Sequence, residues 1–294
     1  MLIARAIADG PKLESRLDHL QQELADRNMG LASASMLDHC GHVVEIAVAG
    51  DDGLALAEAI DAALDSPDRL IAHDTIQVPR LFVSDMDSTM IGQECIDELA
   101  DYAGLKDRIA DITERAMRGE LEFETALRER VGLLEGLEED AIRQCLDDRI
   151  APTPGARTMV QTLKAKGVRC VLVTGGFHHF ADPIAAMLGF DRAVGNRLET
   201  ADGKLTGRLS GPVSHAETKR QVLEEERDSL GEGAIVMAAG DGANDVPMLR
   251  IADYAVAYCA KPVAREAAGG AITGGDWRRM LDLLAIPESE WVMG

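Results

Sequence analysis

The chain has 294 residues, of which 46% are hydrophobic, and a formal net charge of -21 at pH 7. This length and hydrophobic content allow a large core and two domains of ordinary size. The acidic excess argues against nucleic acids and anionic membranes as partners, because like charges repel. An anionic substrate would therefore have to be bound by individual lysine and arginine side chains.

Cysteine usage and the N-terminal residues predict a cytoplasmic protein. The five cysteines are far apart and include no Cys-x-x-Cys pair, so we expect neither a disulfide framework nor a zinc site. Arg5 and Asp9 interrupt the apolar stretch that a signal peptide would need. No apolar run approaches the roughly 20 residues that span a bilayer. We therefore expect reduced thiols and no membrane partner.

Residues 1–79 predict a small α+β domain. Leu13, Leu17, Leu20 and Leu24 recur at the spacing of one helix face. The predicted elements are a strand at 2–8, a helix at 11–27, strands at 31–37 and 43–49, a helix at 54–63 and a strand at 70–78. This βαββαβ order is typical of a ferredoxin-like domain. The Pro-Arg pair that follows marks the predicted domain boundary.

Residues 80–294 predict a second, larger α/β domain. Short apolar runs, each followed by small or acidic residues, occur at 81–84, 168–173 and 234–239. They are typical of a Rossmann-like parallel sheet, in which function lies beyond the carboxyl ends of the strands. The charged, helical stretch from about 94 to 150 predicts a cap inserted after the first core strand. Regularly spaced glycines in 192–213 predict a hairpin beside the core.

The segment Asp85–Thr89 follows the first core strand and carries two carboxylates. Side chains two positions apart on extended backbone share a face, so Asp85 and Asp87 repel each other unless a cation or a proton lies between them. Magnesium-assisted phosphoryl transfer uses such a pair, with one carboxylate as nucleophile and the other handling a proton. A capped turn explains the segment equally well, because Asp, Ser and Thr are common in turns and caps.

Two later segments have chemistry that suits phosphate. Thr174-Gly175-Gly176 follows the second core strand and offers a hydroxyl and backbone amides that an anion can approach closely. Lys219 lies at a predicted helix start, where a cation is unusual because helix N-termini favour anions. An ordinary turn and a solvated surface lysine are the alternative interpretations of these segments.

The segment Asp241–Asp245 follows the third core strand and adds a second carboxylate pair. Mg²⁺ prefers a few carboxylates together with water and phosphate oxygens. Turn chemistry again explains the segment if it is taken alone. With Asp85, Thr174 and Lys219 at the same predicted sheet edge, however, coincidence becomes a much weaker explanation than for any single motif.

These four motifs, in this order, resemble those of the haloacid-dehalogenase-like superfamily: Asp-x-Asp-x-Thr, a strand-end Ser or Thr, a Lys and an acidic loop. Residues from about 80 to 285 are further similar to the phosphoserine phosphatases within it. The supporting stretches are Asp85 to Glu94, Phe123 to Val131, 196–198, 202–207 and 240–249. Threonine at position 174 departs from the serine common in that family, but it supplies the same hydroxyl.

The resemblance implies a role for each catalytic residue. Asp85 would attack phosphorus and become an aspartyl phosphate, while Asp87 would act first as acid and then as base. Asp85, Asp241 and the backbone carbonyl of Asp87 would hold Mg²⁺. The residues implied to stabilise or support the phosphoryl group are Lys219, Thr174, Gly175, Asn244 and, by orienting the lysine, Asp245.

The resemblance also implies the substrate, O-phospho-L-serine, whose hydrolysis to L-serine and phosphate is the last step of serine biosynthesis. Glu94 would bind the substrate ammonium and Arg130 its carboxylate, although both would otherwise be interpreted as solvated helix charges. Met117 and Phe123 would form an apolar cover, and Gly176 would line the substrate site.

Two other functions stay open. The chain could be a phosphatase of another small phosphorylated metabolite, such as phosphohomoserine or phosphothreonine. It could also be an amino-acid-binding regulator with a decayed catalytic domain. Residues 1–79 resemble an ACT-like regulatory or dimerisation domain only in the order of their elements, and we expect a homodimer on that basis.

Overall fold

The N-terminal part of the chain folds as a βαββαβ unit. The computed structural model describes residues 1–8, 12–38, 40–65, 67–117 and 120–293. The elements of the unit are β1 (Leu2–Ile7), α1 (Leu13–Asp26), β2 (Gly30–Leu37), β3 (Cys40–Ala49), α2 (Gly53–Leu64) and β4 (Arg69–Ala72). The antiparallel order β2-β3-β1-β4 confirms the ferredoxin-like prediction. The last strand ends at Ala72, six residues before the predicted end, and the first strand ends one residue early.

Both helices of this unit are explained by local sequence. The leucines of α1 share one face, and Leu20 and Leu24 are fully buried against the sheet. The Asp52 carboxylate caps α2 by accepting hydrogen bonds from the amides of Leu54 and Ala55 at 3.1 and 3.0 Å. The buried face of α2 is rich in alanine and leucine, so the helix packs closely.

The larger part of the chain begins with a buried strand, a helical cap and a hairpin. The bounds are β5 (Leu81–Ser84), α3 (Cys95–Tyr102), α4 (Lys106–Met117), α5 (Phe123–Gly132), α6 (Glu139–Arg149), α7 (Ala156–Ala165), β6 (Arg169–Phe177), α8 (His178–Leu188), β7 (Arg192–Ala201) and β8 (Lys204–Ser210). Helices α3 to α6 form the predicted cap between the first two core strands. The two-residue turn of the hairpin, Asp202-Gly203, has positive φ at both positions, as expected for a type I′ turn.

The remaining elements complete the core. They are α9 (Ala216–Leu230), β9 (Val236–Gly240), a 3₁₀ turn (Ala243–Asp245), α10 (Val246–Leu249), β10 (Tyr254–Tyr258), α11 (Pro262–Arg265), β11 (Gly270–Ile272), α12 (Arg278–Leu283) and a second 3₁₀ turn (Glu288–Glu290). Strands β10 and β11 were missed by sequence reasoning. The first has only five residues, in which alanine alternates with tyrosine and valine, and the second has only three, so neither gives a strong strand signal.

All strands of the described chain belong to one sheet, in the order β2-β3-β1-β4-β11-β10-β9-β5-β6-β7-β8. The segment from β11 to β7 is parallel, which confirms the predicted Rossmann-like core. The two units meet where Ala271 of β11 pairs with Arg69 of β4. The sheet therefore continues across the boundary predicted at residues 79 and 80, and the division into two domains stays a prediction.

The core strands are buried on both faces. In β5, Leu81 and Val83 pack with Val222 and Leu223 of α9 on one side of the sheet. On the other side, the Phe82 ring packs against Phe190 and Trp277, in the same core cluster as buried residues of α7, α8 and α12. This two-sided cover explains the short continuous apolar runs of the core strands. Within the described ranges, no helix combines the length and the apolar character needed to cross a bilayer.

Candidate active site

Three neighbouring parallel strands deliver the site residues to one edge of the sheet. Strand β5 lies between β6 and β9, and all three run in the same direction. Asp85 follows β5, Thr174 lies in the last part of β6, and Asp241 follows β9. The sequence-predicted residues of the three strand ends therefore lie together, as expected for the carboxyl edge of a parallel sheet.

Lys219 links two of the carboxylates at this edge. Its Nζ lies 2.7 Å from Asp85 Oδ1 and 2.7 Å from Asp245 Oδ1, and its side chain is 1% exposed. The residue is in the first turn of α9, whose N-cap is His215. The alternative of a solvated surface lysine is wrong, because this ammonium is buried between two acids.

The burial of this cluster shifts its pKa values. Burial and the Asp245 carboxylate raise the pKa of Asp85, and the Lys219 ammonium partly opposes that rise. Burial alone would lower the pKa of Lys219, but the Asp245 and Asp85 carboxylates together raise it. The lysine therefore stays protonated, and further positive charge near Asp85 would favour the ionised carboxylate.

The two oxygens of Asp85 differ in their contacts. Oδ1 accepts hydrogen bonds from Lys219 and from the amide of Met86, at 2.8 Å for the amide. Oδ2 has one long contact, 3.4 Å to the Asn244 amide nitrogen. The carboxylate is thus held rigidly through one oxygen, while the other is available to a metal ion or a reacting group.

Asp87 lies beside Asp85 in a different environment. Its Oδ1 accepts from the Cys95 amide at 3.0 Å, and its Oδ2 accepts from the Thr174 hydroxyl at 3.4 Å. Burial raises the pKa of Asp87, and these hydrogen bonds limit the rise. A raised carboxyl pKa suits a group that must give up a proton and take it back.

The acidic group at the strand ends can hold a cation. Oxygens of Asp85, Asp241 and Asp245 all lie within 4.8 Å of one another, and the three residues are buried. Asp245 is already engaged, because one oxygen binds Lys219 and the other accepts from the amides of Asp241 and Gly242 at 3.1 and 3.0 Å. Asp85 and Asp241 each keep one carboxylate oxygen outside their lysine contact and can coordinate a metal through it. All-oxygen ligands suit a hard divalent cation.

The end of β6 forms a tight cradle next to these carboxylates. The Gly176 amide donates to Thr174 Oγ1 at 2.8 Å. A Cβ at Gly176 would lie 2.9 Å from Asp87 Oδ2 and 3.1 Å from Thr174 Oγ1, so only glycine fits there. The strand ladder with β7 is irregular between Val173 and Phe177, which opens the backbone at the predicted phosphate cradle.

A buried hydrogen-bond network fixes this cradle and was not assigned a role from sequence. Asn196 donates from Nδ2 to Gly175 O at 2.7 Å and accepts at Oδ1 from the Ser214 amide at 2.7 Å. The Ser214 hydroxyl donates to Thr174 O at 3.0 Å. Asn196 stands within the recognised stretch 196–198, which was the only sequence signal for it.

The cap closes a small cavity over the carboxylates. The cavity has a volume of about 180 Å³, below the roughly 300–1,000 Å³ typical of pockets for drug-sized ligands. Its walls combine the predicted core and cap residues with some others: Asp85, Asp87, Glu94, Ile96, Phe123, Leu127, Arg130, Thr174, Gly175, Gly176, Phe177, Asp241, Asn244 and Lys261. A small phosphorylated metabolite suits such a volume.

Glu94 and Arg130 place opposite charges on the cap side of this cavity. Glu94 Oε1 accepts a hydrogen bond from the Ser88 hydroxyl at 2.8 Å. Burial and, to a smaller extent, the Asp87 carboxylate raise the pKa of Glu94 to about 7. Arg130 donates from Nε to Ala126 O at 3.4 Å, and within the described chain its guanidinium forms no ion pair. Burial lowers the pKa of Arg130, which shows how little solvent surrounds this cation.

Of the two predicted cover residues, the structure describes the side chain of Phe123 but not that of Met117. Phe123 begins α5, lines the cavity and is 45% exposed, and its ring lies 3.6 Å from the position of a Cβ at Gly175. Met117 ends α4, but its side chain lies outside the described part of the structure. A wider groove between cap and core, lined by Thr113, Glu122 and His215 among others, leads outward from the cavity.

Lys261 is a site residue that sequence reasoning missed. It follows β10, and its Nζ lies 3.0 Å from Asp241 Oδ2. Burial raises the pKa of Asp241, and Lys261 opposes that rise. The residue lies in the Ala-Lys-Pro sequence after a strand that carried no recognisable pattern, so no local signal pointed to it.

Comparison with known proteins agrees with this geometry. A family model described as haloacid dehalogenase-like hydrolase matches residues 82–250. A phosphoserine phosphatase of Polaromonas sp. is 44% identical over 211 residues, covering 70% of this chain and 89% of the relative. A HAD family hydrolase of Salmonella enterica serovar Typhi has a TM-score of 0.80 at 27% identity and covers 97% of this chain and 99% of that one.

A further solved structure, described as a phospho-aspartyl intermediate analogue of phosphoserine phosphatase, is 38% identical with a TM-score of 0.64. The match covers 70% of this chain and 99% of that one. The family model alone spans more than half of the sequence, and the site residues discussed above that come from the strand ends lie within it. The chain therefore belongs to the haloacid dehalogenase-like hydrolase family.

Proposed function

We propose that this protein is a phosphoserine phosphatase, which hydrolyses O-phospho-L-serine to L-serine and inorganic phosphate in the last step of serine synthesis. The observation that carries the proposal is the cavity in which Glu94 and Arg130 face the Asp85 cluster. The Polaromonas relative, which is 44% identical to this chain, is named a phosphoserine phosphatase, and so is a second relative that is 43% identical. These names support the proposal.

The substrate's amino-acid group fits the charges of the cap. The Glu94 carboxylate pairs with the ammonium group, which would also favour the ionised form of a side chain whose pKa is about 7. The Arg130 guanidinium binds the substrate carboxylate, because a planar fork of N–H donors matches two carboxylate oxygens. Phe123, Met117 and Gly176 are the residues proposed to border the substrate, and the Phe123 ring excludes water from it.

Asp85 and Asp87 divide the chemistry between them. The free oxygen of Asp85 attacks phosphorus and forms an aspartyl phosphate, while Asp87 donates its proton to the serine oxygen as the P–O bond breaks. Asp87 then removes a proton from water, which attacks the aspartyl phosphate and releases phosphate. The raised pKa of Asp87 fits this cycle of donation and recovery.

Lys219, Thr174, the Gly175 amide and Asn244 stabilise negative charge on the transferring group. Asp245 positions Lys219 through their 2.7 Å contact. Asp85, Asp241 and the backbone carbonyl of Asp87 would hold Mg²⁺. When bound, this ion would polarise the phosphoryl group and allow the neighbouring carboxylates to coexist with a dianion.

The test is phosphate release from O-phospho-L-serine, compared with phosphothreonine, phosphohomoserine and p-nitrophenyl phosphate, with Mg²⁺ and after chelation. We expect the highest kcat/KM for phosphoserine and loss of turnover on chelation. A clear preference for another phosphorylated metabolite would favour the second candidate substrate class. Absence of Mg²⁺-dependent release across the panel would reject an enzymatic function and favour the amino-acid-binding regulator.

The proposal also assigns a role to the N-terminal unit. We take residues 1–79 as an ACT-like regulatory or dimerisation domain attached to a phosphatase domain at 80–294, and a cytoplasmic homodimer as the working state. The element order supports this interpretation, whereas the continuous sheet argues that the units are mechanically connected. Assays with and without L-serine, together with light scattering, test regulation and dimerisation separately.

A further inference from the structure

A second cluster of metal-binding side chains lies at the junction of the two units, away from the cavity. Cys40 and His42 are two positions apart on β3, so their side chains share one face of the strand. Asp282 comes from α12, 240 residues later in the chain. Helix α12 packs against β1, β3 and β4, which brings the aspartate onto that face.

The distances within this cluster match those of a coordination shell. Cys40 Sγ lies 3.4 Å from His42 Nε2, and that nitrogen lies 3.2 Å from Asp282 Oδ2. Cys40 Sγ lies 3.8 Å from Asp282 Oδ1. Tetrahedral zinc with bonds of about 2.0–2.3 Å separates its ligand atoms by about 3.3–3.8 Å. A cation at the centre would therefore require only small side-chain movements.

Burial and charge also suit a cation. Cys40 is 8% exposed and Asp282 is 9% exposed, whereas the His42 side chain is 34% exposed. The buried ligands would be shielded, and the side nearest His42 leaves access for a water molecule as fourth ligand. Burial and the Asp282 carboxylate raise the pKa of the Cys40 thiol, so binding of a cation has to displace the thiol proton and should strengthen as the pH rises.

A simple hydrogen-bonded network is the competing explanation. His42 and Arg279 both contact the Asp282 carboxylate, with Arg279 Nη1 3.7 Å from Oδ2. The arginine is 45% exposed, however, and its contact is long, so it neutralises the carboxylate only weakly. The contacts of His42 and Cys40 with Asp282, at 3.2 and 3.8 Å, fit hydrogen bonds as well as ligand–ligand distances, so metal addition decides between the two explanations.

We propose that Cys40, His42 and Asp282 form a binding site for a transition-metal ion of the Zn²⁺ class that links the N-terminal unit to α12. Thiolate and imidazole ligands favour such ions over Mg²⁺, which prefers oxygen. The site is therefore chemically distinct from the acidic group at Asp85 and Asp241. The sequence argued against zinc because the cysteines have no paired spacing, but the third ligand comes from a distant helix.

Cobalt provides a probe that separates the two sites. Stoichiometric Co²⁺ added to the chelator-treated full-length chain should produce a thiolate-to-cobalt charge-transfer band, which carboxylates at the other site do not produce. The band should disappear in Cys40→Ser and persist in Cys259→Ser, a matched variant of an exposed cysteine elsewhere. No band in the wild-type chain, or an equal band in Cys40→Ser, would overturn the proposal.

Thermal unfolding gives an independent readout. Because a ligand that binds only the native state stabilises it, Zn²⁺ should raise the Tm of the wild type and of Cys259→Ser. The increase should be lost in His42→Gln, whose more exposed position makes it the variant of choice if Cys40→Ser fails to fold. If folded His42→Gln keeps both the Zn²⁺-induced increase in Tm and the cobalt band, then Cys40, His42 and Asp282 do not share an ion.

Discussion

The two sides of the active-site cavity are built differently. On the sheet side, Lys219 is buried between Asp85 and Asp245, and each of these charges is held by close partners. On the cap side, Glu94 has a single hydroxyl partner, and Arg130 has one long hydrogen bond to a backbone carbonyl. Groups proposed to carry out the chemistry are thus fixed by mutual contacts, whereas groups proposed to select the substrate keep their hydrogen-bonding capacity for the ligand.

The largest expected effect comes from the sheet side. Asp85→Asn retains the shape of the side chain but removes the nucleophilic carboxylate, so kcat should fall on the order of 10³-fold or more. The measurement is steady-state phosphate release, with Asp228→Asn on the exposed face of α9 as the matched control. Near-wild-type turnover in Asp85→Asn would mean that another group attacks phosphorus.

Lys219→Ala tests whether the buried ion cluster also supports the fold. Removing the ammonium leaves Asp85 and Asp245 as buried carboxylates without their cation, which destabilises by about 3–5 kcal/mol in comparable cases. The free energy of unfolding from urea titration measures this loss. Lys164→Ala removes a partly exposed lysine that lies 2.9 Å from Asp191, and such pairs contribute about 0–1 kcal/mol. Equal losses in the two variants would contradict the distinction.

Arg130→Ala tests the cap side. The kcat/KM for phosphoserine should fall by roughly 10- to 100-fold, since hydrogen bonds to charged groups contribute about 1.5–3 kcal/mol. Turnover of p-nitrophenyl phosphate, which lacks the amino-acid carboxylate, should change little. Arg143→Ala on α6, whose side chain is 66% exposed, is the matched cap control. Similar losses on both substrates would remove the proposed carboxylate contact.

Glu94→Gln should have the smallest effect on stability and a characteristic pH dependence. The pKa of Glu94 is raised from 4.5 to about 7 in the native state, so ionisation of this group disfavours folding progressively between those values and fully above them. The Tm of Glu94→Gln relative to wild type should therefore rise as the pH increases from 4.5 to 7 and then level off. A pH-independent difference would refute the raised pKa of Glu94.

Much of the core was predictable because its signals are local. The motif Asp85–Thr89 and the acidic segment at Asp241 directly follow a strand, whereas Thr174 and its glycines, predicted to follow β6, lie in its last part. Parallel strands bring these ends together. The cap was predictable because the charged stretch from about 94 to 150, which lies between the first two core strands, has no strand signal and is longer than an ordinary loop. The βαββαβ unit followed from alternating and helical apolar periodicity.

Other features depend on contacts between distant residues and had no local signal. Lys261 reaches Asp241 only because β10 lies beside β9. The strand β10 itself has only five residues, and its two alanines weaken the strand signal of its tyrosines and valine. The pairing of β11 with β4, which joins the two units in one sheet, rests on a single residue pair.

The sequence by itself determined the kind of chemistry, the family and the order of elements, because strand-end motifs and periodicity act over a few residues. Only the tertiary structure decided the charge balance of the site, with Lys219 buried between two acids and Lys261 next to Asp241. It also brought Cys40, His42 and Asp282 together across the junction of the units. Electrostatics and metal coordination depend on distances of a few ångströms in space, which spacing along the chain does not encode.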